Sequence, residues 1–77
     1  MEEFLFAKID EIAFTEVAKE EALWSSGVLD SITVVELAVE VENEFNISIP
    51  FEEIIVENFE TVERLVAYIQ KKKNSEA

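Results

Sequence analysis

Seventy-seven residues contain a single glycine, Gly27, and a single proline, Pro50. A sheet protein reverses direction every few residues and uses glycine, proline and asparagine at those reversals. This chain has almost none of that punctuation, and Glu, Ala, Leu, Ile and Val dominate the stretches between. An all-α fold of a few helices joined by loops is the expected architecture. Apolar residues make up 49% of the chain, which sets it apart from disordered acidic segments in spite of a net charge of −12. One domain spanning residues 1–77 is expected, small enough to bury only about 60% of its unfolded surface.

Hydrophobic periodicity places the elements. Leu5, Ile9, Ile12 and Ala13 fall at i, i+4, i+7 and i+8, the stripe of an amphipathic helix over about 2–13, with a break near Phe14. Leu23 and Trp24 followed by Ser25-Ser26-Gly27 read as a loop pinned by an aromatic anchor. Asp30 or Ser31 then offers a capping oxygen to a second helix over about 31–45. On that helix Val34, Leu37, Val41 and Phe45 form a core face, while Glu36, Glu40 and Glu44 form a line of carboxylates with little Lys or Arg near them in sequence. Pro50 suits the first turn of a short third helix over about 51–56, with Phe51, Ile54 and Ile55 on one face. Residues 57–60 read as a connector whose Phe59 turns inward. Thr61 caps a last helix over about 61–73, carrying Val62, Leu65, Val66 and Ile69, with Lys71-Lys72-Lys73 at its negative end.

What the chain lacks narrows its chemistry. It has no His and no Cys, so disulfides, thiolate metal sites and an imidazole base are excluded. Ser31 therefore has no evident base to make it a nucleophile, and no catalytic residue is expected. No Asp-rich loop with a central glycine is present, so no metal site is expected either. No apolar run approaches the roughly 18 residues of a membrane span, and Met1-Glu2-Glu3 is acidic where a secretory signal is basic. A soluble, monomeric, cytoplasmic protein is the expectation. Eighteen acidic side chains against six basic ones disfavour nucleic acid and anionic lipid and favour partners with basic surfaces. Ser31, exposed at a helix start, fits a site of modification in which a phosphodiester would meet the positive end of the helix dipole.

Four stretches in order carry a resemblance that covers almost the whole chain: Gly27-Val28-Leu29-Asp30-Ser31-Ile32, Val35-Glu36-Leu37, Glu44-Phe45-Asn46-Ile47-Ser48-Ile49-Pro50, and Asn58-Phe59-Glu60-Thr61-Val62. In this order and spacing the chain resembles the acyl carrier protein family. The resemblance implies a four-helix bundle with a short third helix. It also implies a 4′-phosphopantetheine arm on Ser31, with Asp30 as the supporting motif residue. A phosphopantetheinyl transferase would attach the arm, whose thiol would hold acyl groups as thioesters for enzymes with basic docking patches. By the same resemblance Glu36, Glu40 and Glu44, with Ile32, Val35 and Val39 as the apolar part, would form the partner footprint.

Departures from the family pattern leave the cargo open. Ile32 stands where Leu is commonest, Asn46 where Asp is frequent, and Phe51 follows Pro50 where many fatty-acid carriers have an acidic residue. An acyl carrier of fatty acid, polyketide or related specialised biosynthesis is the first expectation. An aminoacyl, D-alanyl or peptidyl carrier loaded by an adenylating enzyme is the alternative, because the Gly-Val-Leu-Asp-Ser form also resembles such stand-alone carriers. From a different class, an unmodified acidic helical adaptor would share the fold.

Overall fold

Each long apolar stripe becomes a helix. The computed structural model describes residues 1–76. Its elements are α1 (Glu2–Ala13), α2 (Thr33–Phe45), a 3-10 turn (Phe51–Glu53), α3 (Val56–Phe59) and α4 (Val62–Glu76). Leu5 and Ile9 of α1, Val34, Leu37, Ala38 and Val41 of α2, and Val62, Leu65, Tyr68 and Ile69 of α4 turn into one core. Leu23 and Leu29 reach it from the long first loop and Phe59 reaches it from α3. The result is an all-helical bundle with a short third helix.

The helices stop where backbone geometry stops them. Phe14 follows α1 in the left-handed region (φ 58°, ψ 37°) with its N–H donating to the Asp10 carbonyl, and Asn46 ends α2 the same way (φ 56°, ψ 48°). Asparagine tolerates that conformation, whereas a phenylalanine there is unusual. Thr61 Oγ1 accepts the N–H of Arg64 at 3.0 Å, which makes it the cap of α4. The break near Phe14 and the inward turn of Phe59 agree with the periodicity.

The third element differs from the expectation of a helix over 51–56 followed by a connector over 57–60. Residues 51–53 form only a 3-10 turn, Ile54 and Ile55 leave helical geometry, and the helix proper is Val56–Phe59. Phe51 is 80% exposed, and the only buried residue of α3 is Phe59. Burial of that ring, 6.0 Å from Tyr68, decides where the short helix sits. Asn58 Nδ2 closes the preceding turn by donating to the Glu53 carbonyl at 2.9 Å. The α4 lysines also do more than complement a dipole. Lys72 pairs with Glu53 at 3.2 Å, and Lys73 lies over the Phe45 ring at 5.8 Å, tying α4 to the 3-10 turn and to α2.

Candidate functional site

Ser31 occupies a turn between two tightly determined structures. On its C-terminal side α2 is regular from Thr33, but Ile32 is already helical (φ −91°, ψ −49°) and the Val34 N–H donates to the Asp30 carbonyl at 3.0 Å. The first helical turn therefore begins at Asp30. Asp30 Oδ1 accepts the N–H groups of Ile32 and Thr33 at 2.9 and 2.8 Å. In return Thr33 Oγ1 accepts the Asp30 N–H at 2.7 Å. This is a reciprocal capping box, built from Asp and Thr. Of the two capping candidates the structure selects Asp30, and the Ser31 hydroxyl is left exposed with no protein hydrogen bond among the described residues. The amide bonds from Thr33 and Ile32 hold the Asp30 carboxyl below its ordinary value.

On the N-terminal side, the loop over residues 14–29 is fixed by a residue that the periodicity does not reveal. Glu60 Oε1 accepts the N–H groups of Trp24 and Ser25 at 3.0 and 2.9 Å, and its other oxygen accepts the Ser25 hydroxyl. Its backbone carbonyl accepts the Leu23 N–H at 2.7 Å. The Ser25 hydroxyl, and then the Ser25 and Trp24 amides, keep the Glu60 carboxyl below its ordinary value. From this anchor the chain turns through Ser26, whose hydroxyl donates to the Ala22 carbonyl at 2.6 Å, and Gly27. At φ +88° Gly27 occupies a backbone region that other residues enter at a cost, and its N–H donates to the Trp24 carbonyl. The Leu29 N–H then donates to the Leu23 carbonyl at 2.9 Å, with both side chains fully buried, and delivers the chain to Asp30.

The other anticipated residues share the exposed side of α2. Ile32 is 69% exposed, and Val35, Val39, Glu36 and Glu44 are also exposed. Glu40 is half-buried and does not stand free, because Lys8 of α1 pairs with it at 3.3 Å and with Glu11 at 3.5 Å. The Glu40 and Glu11 carboxylates raise the Lys8 ammonium above its ordinary value, the bond to Glu40 most. A cation supplied by another helix thus relieves part of the carboxylate line that looked uncompensated in sequence. Among the described residues no helix is long and apolar enough to cross a membrane.

The family described as phosphopantetheine attachment site matches residues 5–69. The D-alanyl carrier protein of Streptococcus uberis is 36% identical over 77 residues, covering 97% of this chain and 98% of that one. The D-alanyl carrier protein of Lactococcus lactis is 34% identical over 77 residues, covering 96% and 98%. That of Streptococcus mutans is 36% identical over 69 residues, covering 87% of each. The chain belongs to the family of carrier proteins that hold a covalently attached 4′-phosphopantetheine and are not themselves enzymes.

Proposed function

We propose that Ser31 is the attachment residue and that the cargo is D-alanine, carried as a thioester. The observation that carries the first part is the exposed Ser31 hydroxyl, at a turn fixed by the Asp30–Thr33 capping box and yet engaged in no protein hydrogen bond among the described residues. A phosphopantetheinyl transferase joins the serine Oγ to the pantetheine phosphate of coenzyme A. The diphosphate bond breaks, the serine proton is lost and adenosine 3′,5′-bisphosphate leaves. The bound group supplies the thiol that the chain lacks. Ser31 holds it, Asp30 and Thr33 keep that residue at the helix start, and Ile32, Val35, Val39, Glu36, Glu40 and Glu44 face the enzymes that act on it.

The names of three relatives support D-alanine as the cargo over the fatty acyl and polyketide groups first expected. On this reading an adenylating enzyme would convert D-alanine and ATP to D-alanyl adenylate and pyrophosphate, and the arm held by Ser31 would supply the thiol that receives the D-alanyl group as AMP leaves. The phosphopantetheinylated protein, incubated with a D-alanine-adenylating ligase, ATP and radiolabelled D-alanine, should take up label that neutral hydroxylamine releases. Uptake of malonyl or fatty acyl groups by their transferases, with none of D-alanine, would overturn the cargo assignment.

A further inference from the structure

Beside the Ser31 turn, α1 and α2 enclose a groove whose features the attachment chemistry leaves unexplained. Its apolar lining is Ile12, Phe14, Val35 and Val39. Phe14 is the anomaly, because its backbone sits in the left-handed region that favours glycine or asparagine and its side chain is 88% exposed. Neither backbone preference nor burial within this chain accounts for a phenylalanine at that position. Val35 and Val39, on the facing wall, are also exposed.

The rim is charged on both sides. Glu11 stands on the α1 side and Glu36 and Glu40 on the α2 side, with Lys8 bridging Glu11 and Glu40. Three carboxylates face one ammonium, and Glu36 makes no ion pair among the described residues. Val35 lies one helical turn beyond Ser31, so an occupant of the groove would sit beside the attachment point. An apolar slot with an acidic rim complements an apolar side chain flanked by lysine or arginine.

We propose that this groove, with Phe14 as its outer wall, is a docking surface for the adenylating enzyme that loads the arm, and that it receives an apolar side chain of that enzyme between basic residues. The proposal rests on the D-alanyl reading above and adds α1 and its cap to the α2 footprint. Phe14→Gly is the discriminating variant, because glycine suits the left-handed backbone and should leave the thermal midpoint equal to or above that of the parent.

With the phosphopantetheinylated protein and a D-alanine-adenylating ligase, Phe14→Gly should raise the KM for the carrier about tenfold, equivalent to about 1.4 kcal/mol, with kcat unchanged. Glu11→Gln, on the α1 rim, should raise KM less, and that rise should vanish at high salt. An unchanged KM in both variants would overturn the groove as a docking surface, and so would a fall in kcat at constant KM. A parent protein that takes no D-alanine would overturn the cargo reading and this occupant with it, whereas a loaded parent with indifferent variants overturns the groove alone.

Discussion

Replacing Phe59 by alanine should remove a large share of the protein's stability, although α3 has only four residues. A helix that short has no stability of its own and stays in place because its ring is buried. Phe59 is 0% exposed and is the only buried residue of α3, with its ring against Tyr68. Truncating a fully buried phenylalanine to alanine costs about 3–5 kcal/mol, combining lost transfer energy and the cavity left behind. A chain of this length holds about 4–12 kcal/mol in total, at roughly 0.05–0.15 kcal/mol per residue. The loss is therefore about a quarter of the stability at the least and all of it at the most. Urea unfolding followed in parallel by Trp24 fluorescence and helix circular dichroism measures it, since Trp24 is the single tryptophan and its backbone N–H donates to Glu60, the next residue after Phe59. Phe59→Leu, which keeps a large apolar side chain, should lose less than half as much and shift the native fluorescence as the Glu60 anchor loosens. A loss below about 1 kcal/mol for Phe59→Ala, the ordinary cost of an arbitrary substitution, would refute the claim that this ring holds α3 and the junction it leads to.

Other perturbations test the cap, the charges and the acid limb. Thr61→Ala should cost about 1 kcal/mol in urea unfolding by leaving the Arg64 N–H uncapped. Glu36→Lys combined with Glu40→Lys should slow transfer by partner enzymes at low salt, with the defect shrinking as salt rises; unchanged rates at low salt would mean that the carboxylates only solubilise. Asp30 and Glu60 have folded values below their ordinary 3.8 and 4.5, so their contribution is fully present above those values and is lost as pH falls through the depressed ones. The thermal midpoint of Glu60→Gln should therefore fall less steeply with acid than that of the parent below about pH 4.5. Lys8 works in the opposite sense: its folded value lies above 10.5, so its contribution is present below that value and is lost as pH rises through the raised one.

The long helices were legible because burial and helical period coincide in them. Leu5 and Ile9 in α1, and Val34, Leu37 and Val41 in α2, are spaced for one face and are buried on it. The exposure of Ser31 at a helix start was legible from its place in the sequence, and the Asp30 cap from its place before a periodic run. The third element was not, because Phe51 and Ile55 have helical spacing but stay exposed and Ile54 packs against the core only partly buried, whereas Phe59 is fully buried in it. Propensity over six residues is weaker than one buried ring. Glu60 was hidden for a different reason: its partners at Trp24 and Ser25 lie 36 and 35 positions away, and no local pattern encodes such a contact. The same holds for Lys8 and Glu40, which belong to different helices and meet only once the helices pack.

Intact-mass spectrometry of the protein after incubation with coenzyme A, magnesium and a broad-specificity phosphopantetheinyl transferase tests the central claim most directly. The parent should gain the mass of one 4′-phosphopantetheine, with peptide mapping placing it on Ser31, and Ser31→Ala should gain nothing while keeping the parent's helix content. A gain that persists in Ser31→Ala, or no gain in the parent with several such transferases, would contradict the assignment of Ser31 as the tether.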